Sequence, residues 1–263
     1  MINDLTIKLL ALIDDFDSFG KLDRDMQLFA IAIGTLRKDR EIAEDIVLLN
    51  QTNQSGIGSL ALSRILIEDY FNLKYLEHNP ETLTKNLSLF NSHPNVDHYG
   101  SMRSMIEWGY PFSDEEKIMV TQVEQAFQAN KDDFLRPNKT HDPYIRDNYY
   151  RTWSKLSLED LIAKSGFVEE DPINAKFLTE HYGSGSSMIH HNAYNVWYMA
   201  TQGRGTELAE EGYKDISARV TFLVTSRILN LAINIFSKES GEDEVALKYI
   251  LQLEGIIDEF AKK

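Results

Sequence analysis

The chain has 263 residues, 43% of them hydrophobic, with 27 basic against 41 acidic side chains, a net charge of −14 and no cysteine. That hydrophobic share supplies a sizeable core and argues against disorder, while the missing cysteines exclude disulfides, thiolate zinc sites and a Cys nucleophile. The negative charge opposes non-specific binding to duplex DNA, which draws its affinity from Lys and Arg, although a local basic groove remains compatible with it.

The opening residues, MINDLTIKLLALIDDFD, lack a basic stretch and read as an amphipathic helix rather than a signal peptide. No run is read as reaching the ~20 apolar residues of a membrane span. The protein is therefore expected to be soluble and cytoplasmic, with no membrane partner.

In chain order, 4–17 is predicted to be a helix with Leu5, Leu9, Leu12, Ile13 and Phe16 on one side. Two further helices are predicted at 25–36 and 40–49, followed by a polar turn over 50–56. The longest periodic run is 58–77, with Leu62, Ile65, Leu66, Tyr70, Leu73 and Leu76 facing inwards. Pro80 opens a helix to Phe90, with Glu81 complementing its dipole; SHPNVDHYG over 92–100 breaks the pattern and 102–108 resumes it. Ser113-Asp114-Glu115-Glu116 is a capping-box start to a helix ending near Phe134.

The segment 136–155, RPNKTHDPYIRDNYYRTWSK, is locally basic and reads as loop. A short capped helix over 157–164 is closed by Gly166, and 168–172 is an acidic linker. In FLTEHYGSGSSMIHHNAYNVWYMAT, over 177–201, Gly183 and Gly185 are expected to interrupt the helix. Ser184, Ser186 and Ser187 then cap a new helix through Ala200. A turn at 202–206, a long apolar helix over 207–238, an acidic turn at 240–244 and an amphipathic helix over 245–261 complete the chain. The expected fold class is all-α, an irregular bundle of roughly ten helices in a single domain over 1–263. Residues 58–200 would be its core, with the helices of 1–52 and the helical pair of 207–263 packed on it.

Arg64 and Glu68 stand i,i+4 in LALSRILIEDYFNLKYL. They are either a salt bridge on a wet helix face or an inward pair that positions or neutralises a ligand. Ser186, His190, Tyr194 and Trp197 share one predicted stripe, with Ser187, His191 and Tyr198 on the next and Tyr182 adjacent. A hydroxyl, an imidazole and a phenol one turn apart make an acid/base row or a buried hydrogen-bond row. The serines at the helix start also offer an anion site, but the turn is no P-loop, since no Gly-Lys-Ser/Thr follows.

His93, Asp97 and His98 in a predicted loop, and His181, His190 and His191 later, lie near one another in sequence. With neither HExxH nor paired Glu-x-x-His, no metal and no cofactor is assigned. Arg136, Lys139, Arg146, Arg151 and Lys155 interleave with Tyr144, Tyr149, Tyr150 and Trp153. Cations alternating with rings suit single-stranded nucleic acid or a nucleotide; in the other reading the rings pack down and only the charges are solvated. Arg146, Arg151 and Trp153 thus join Ser187, His191 and Tyr182 as ligand-binding candidates.

Three blocks, Arg64-x3-Glu68 with Tyr75-Leu76, Trp153 with LSLEDLIAKSG, and Tyr182-x3-Ser186-x3-His190, come in a telling order. Over about 58–200 they resemble an uncharacterised all-helical bacterial family, domain of unknown function 5677. The resemblance implies that Arg64, Glu68, Ser186 and His190 are polar positions of one internal site. Gly183 and Gly185 depart from the family pattern. A distant likeness to HEPN-like helical proteins points towards RNA. The HEPN motif as such is absent: Arg136 and His141 have its spacing but sit among prolines, and Gly185 stands where His190 would need an arginine.

The resulting expectation is a protein of bacterial or phage defence or stress type, with a site built from two helices. As an enzyme it would be a metal-independent ribonuclease or RNA-processing toxin. His190 would be general base or acid, with Ser186 and Tyr194 beside it, Arg64 would stabilise the phosphorane, and Glu68 would orient Arg64 or His190. As a non-catalytic module it would bind a nucleotide or small anionic ligand, or engage a partner protein through its acidic surface. The apolar helix over 216–236 is either core or the seam of a homodimer.

Overall fold

Ten α-helices and no sheet make up the described residues, as the all-α expectation requires. They are α1 (Ile2–Phe19), α2 (Gln27–Gln51), α3 (Gly56–His78), α4 (Leu83–Glu107), α5 (Asp114–Phe134), α6 (Leu158–Lys164), α7 (Phe167–Glu170), α8 (Pro172–Ile189), α9 (Glu207–Ser240) and α10 (Asp243–Ala261). This computed structural model describes residues 2–19, 26–52, 56–140, 146–189 and 207–262. By its contacts the chain divides into two units, Met1–His78 with Ile162–Lys263, and Asn79–Leu161.

In the first unit α9 is the central helix, packed against α1, α2, α3 and α10. Its polarity relative to its neighbours follows from side-chain pairs at each end. Asn50 reaches Ser217 while the Phe29 amide donates to Glu239, so α2 runs antiparallel to α9. The Glu239 carboxylate also supplies the N-terminal cap of α2, whose own N-cap residue, Met26, offers no side-chain oxygen. Over Glu211–Ser240, 30 residues, α9 is long and apolar enough to cross a membrane by length and composition, contrary to the sequence expectation. Of its most apolar stretch 72% is buried inside the protein. Buried Ser217, Thr221 and Thr225 recur along it one turn apart, and Thr221 satisfies its hydroxyl on the Ser217 carbonyl.

Several boundaries differ from the sequence reading for reasons that lie in partners distant along the chain. The two helices expected at 25–36 and 40–49 are one, α2, because the charged run Arg37–Arg40 is accommodated from outside. Arg37 pairs with Asp17 and Arg40 with Asp14, both on α1, and Lys38 pairs with Asp69 on α3. On α3 Leu66, Tyr70, Leu73 and Leu76 are buried as expected; Leu62 and Ile65 are partly exposed instead, and the buried face widens to take in Leu60, Ser63, Ile67 and Phe71. The acidic linker expected over 168–172 is in part helical, overlapping the single turn α7 (Phe167–Glu170). Gly166, with φ of 74°, takes the left-handed conformation after α6, as expected of a helix-closing glycine.

The second unit is built on the α4–α5 pair. The expected break at 92–100 does not occur, and α4 continues through Pro94. A proline in a helix interior forfeits one backbone hydrogen bond. Packing on either side holds the helix: His93 meets Phe134 edge-on at 5.1 Å, and Tyr99 stacks on Phe127 at 4.0 Å. After α5 the chain returns alongside Phe134–Arg136 through a bridge between Leu135 and Tyr149. Tyr149 and Trp153 are thereby buried, against Phe127 and Phe90 respectively.

Candidate functional site

The first unit brings together Arg64 and Glu68 from α3 with Tyr182 from α8. Paired contacts, Arg64 with Tyr182 and Lys74 with Glu170, set α8 and α7 antiparallel to α3. One Arg64 Nη donates to Glu68 Oε1 at 2.9 Å and to the Tyr182 hydroxyl oxygen at 2.8 Å. The Tyr182 hydroxyl donates in turn to the same carboxylate oxygen at 2.6 Å. The triangle is closed, and the guanidinium carbon lies 4.6 Å from the Tyr182 ring centre.

The Arg64 and Glu68 side chains keep 20% and 39% of their surface exposed. The pair thus sits at the edge of the unit, between the wet-face and inward readings. Burial works against the charge of Arg64, but the bond to Tyr182 and the charge of Glu68 outweigh it and raise its pKa. Burial and the bond to Glu68 also push the Tyr182 phenol up, against the pull of Arg64. Tyr182 therefore remains a donor and Arg64 a cation. The Arg64 Nε is buried with no hydrogen-bond partner among the described residues.

One residue along each helix, Ser63 and His181 form a second contact, with Oγ 3.2 Å from Nε2. That is the distance of a nucleophile and its base. Its surroundings assign it elsewhere. Ser63 is fully buried and its hydroxyl donates to the Leu60 carbonyl at 2.9 Å, leaving a lone pair to accept from His181 Nε2–H. Burial pushes His181 down to about 4, so the ring is neutral near pH 7. The pair locks α3 to α8 and orients Tyr182 beside it.

The glycines at 183 and 185 do not interrupt the helix, contrary to expectation: α8 runs from Pro172 to Ile189. Glycine costs a helix roughly 1 kcal/mol relative to alanine, which the α3 contact offsets. The serines are then interior to a helix, and the anion site expected at a new N-terminus is withdrawn. Ser186 and Ser187 stand in this helix, Ser186 one turn after Tyr182; their side chains lie outside the described residues. His190, His191 and Tyr194 lie outside the described residues altogether.

Of the remaining candidates, Arg151 is exposed and pairs with Asp147 at 2.5 Å, while Trp153 is buried in the second unit, edge-on to Phe90. Arg146 opens a 3-10 turn, and its side chain lies outside the described residues. Arg136 lies over Tyr150, 5.6 Å from its ring centre. His93 and Asp97 are in helix α4 rather than a loop, and His93 Nε2 donates to the Tyr150 carbonyl at 3.2 Å. Among the described residues no group of three or more His, Cys, Asp or Glu side chains is placed to hold a metal ion.

A second polar cluster escaped the sequence reading. Arg227 of α9 pairs with Asp171 and covers the Phe167 ring at 4.7 Å. Burial pushes the neighbouring Tyr70 phenol up to about 12 despite Arg227. Burial opposes the charge of Asp171, yet bonds from Asn174 and Arg227 hold its pKa below the ordinary value. The signal was a lone arginine in VTFLVTSRILNLAINIF, since a charge amid apolar residues demands a partner. A cleft of about 250 Å³ in the first unit is lined by Asn3, Asn50, Lys214, Arg219 and Phe260 among others, none of them from the triangle.

An all-α chain with a half-buried Arg–Glu–Tyr triangle joining two of its helices is the class that fold and geometry define. The chain matches the model of a family of unknown function, DUF5677, over residues 29–205, and it belongs to that family. The match extends the resemblance upstream of residue 58, into α2. No curated protein and no solved structure matches the chain.

Proposed function

We propose that this protein binds an anionic, phosphate-bearing ligand, a nucleotide or a short stretch of RNA, with Arg64 as the recognition group. The supporting observation is the state of that guanidinium. It is charged and part-exposed, and Glu68 together with the hydroxyl and ring of Tyr182 holds it in one orientation. A guanidinium oriented in advance loses less side-chain freedom on meeting a phosphate, and the Nη that neither Glu68 nor Tyr182 engages is the group that would donate to a phosphate oxygen. Binding is favoured over cleavage because His181, next to Tyr182, is enclosed, a weak base and already bonded to Ser63.

Thermal shift with nucleoside mono-, di- and triphosphates and a short single-stranded RNA tests this reading. A ligand at a hundredfold its Kd adds about 2.7 kcal/mol to the folded state. The wild-type melting temperature should rise, and Arg64→Lys, which keeps the charge but loses the planar guanidinium that Glu68 and Tyr182 hold in place, should abolish the rise. Equal shifts in both proteins would remove Arg64 from recognition.

A second reading, metal-independent RNA cleavage in a cytoplasmic, distantly HEPN-like protein of bacterial or phage antiviral defence, is favoured by one observation. The helix carrying Tyr182 continues unbroken past Ser186 to Ile189, in the register that the Tyr182-x3-Ser186-x3-His190 row requires. His190→Ala should then abolish cleavage of a labelled RNA without lowering the melting temperature. Cleavage persisting in that variant dismisses the catalytic role.

A further inference from the structure

We propose that the tip joining α4 to α5 is a docking surface for a partner protein that presents a basic amphipathic helix. Five apolar side chains are exposed within this short stretch: Trp108 at 82%, Ile118 at 61%, Met119 at 56%, Tyr110 at 45% and Ile106 at 43%. Isolated exposed apolar residues need no explanation, but a gathered set rimmed by charge marks an interaction site.

The tip is also held rigid. Gly109, with φ of 73°, donates to the Ile106 carbonyl and Tyr110 to the Met105 carbonyl, the paired bonds of a Schellman turn. On the other side Ser113 and Glu116 complete a capping box at the start of α5. The Tyr110 ring rests on Phe112 at 4.9 Å. Trp108 is thus presented from a fixed backbone, so binding there forfeits little conformational entropy. Aromatic side chains in such positions dominate interface energetics.

Charge selects the occupant. The same stretch carries four acids, Glu107, Asp114, Glu115 and Glu116, against two bases, Arg103 and Lys117, each already paired with one of those acids. An acidic rim repels RNA and anionic lipid. A second copy in a symmetric interface would bring the same acids face to face. A basic helix with an apolar face satisfies both the rim and the centre.

The test titrates the full chain with a designed Leu/Lys amphipathic peptide of about five helical turns and with its Leu/Glu counterpart. The Leu/Lys peptide should bind and shift tryptophan emission to the blue, and the Leu/Glu peptide should not. Trp108→Ser should weaken binding about tenfold or more, and Glu115→Lys should weaken it most at low salt. Both positions are exposed, so circular dichroism should show unchanged folding. The proposal is overturned by no binding, or by binding indifferent to both substitutions. Sedimentation showing that Trp108→Ser turns a dimer into a monomer would give the surface to a second copy, and binding to anionic vesicles through Trp108 would give it to a membrane. Either result overturns the proposal as well.

Discussion

Replacing Phe16 with alanine is expected to cost about 3–5 kcal/mol of stability, measured as a fall in the urea midpoint with little change in slope. Phe16 is fully buried at the point where four helices of the first unit converge. Its ring meets Phe29 of α2 edge-on at 6.2 Å, Phe236 of α9 at 5.9 Å and Tyr249 of α10 at 5.1 Å. Truncation removes the transfer energy of one large ring, leaves a cavity where α1, α2, α9 and α10 cannot all close in, and deletes edge-to-face contacts worth about 0.5–1.5 kcal/mol each. A loss below about 1 kcal/mol would mean that the aromatic cluster is not the keystone of this unit.

Replacing Asp39 with asparagine is expected to stabilise the protein, and increasingly so as pH rises from 5 towards 9. Asp39 is fully buried in α2, and its carboxyl lies within hydrogen-bond reach of the Asp69 carboxylate on α3. Burial, then the neighbouring Asp69 carboxylate, push its pKa up to about 9, while Lys38 pulls weakly the other way. The folded state therefore holds a proton that the unfolded chain releases above about pH 4. Between those values stability falls as pH rises; it is fully present below the unfolded pKa and lost as pH rises through the folded one. Asparagine fills the same volume without titrating, and its amide can donate to Asp69. The check is the melting temperature of both proteins across pH 5 to 9. Parallel curves would contradict a buried neutral acid.

The same residue marks the limit of what the sequence allowed. Periodicity located α1 with its buried face, α3, α9 and α10, and the Ser113–Glu116 capping box located the start of α5. Each of those signals is local. Arg37-Lys38-Asp39-Arg40 looked like a break because four charges in a row do not belong to an apolar stripe. Asp14, Asp17 and Asp69, on other helices, supply the partners, and Asp39 itself is buried as an acid. Pro94 and the Gly183/Gly185 pair were read as stops by propensity alone, and tertiary packing carried both helices through. Of the candidate site, the i,i+4 spacing of Arg64 and Glu68 was legible, whereas Tyr182 was grouped with Ser186 and His190 and its bonds to Arg64 and Glu68 were not. The exchange of Ser63 with His181 was not, because adjacent residues on one helix say nothing of which neighbour they will face.

Calorimetric titration of the nucleotide giving the largest thermal shift, into wild type and Arg64→Lys, tests most directly whether the Arg64–Glu68–Tyr182 triangle is a recognition site. Saturable heat in the wild type with a Kd raised at least about tenfold in the variant, a loss of about 1.4 kcal/mol, is the predicted result. Indistinguishable isotherms, or no saturable heat from any phosphate-bearing probe, would leave the triangle as nothing more than a clamp between two helices.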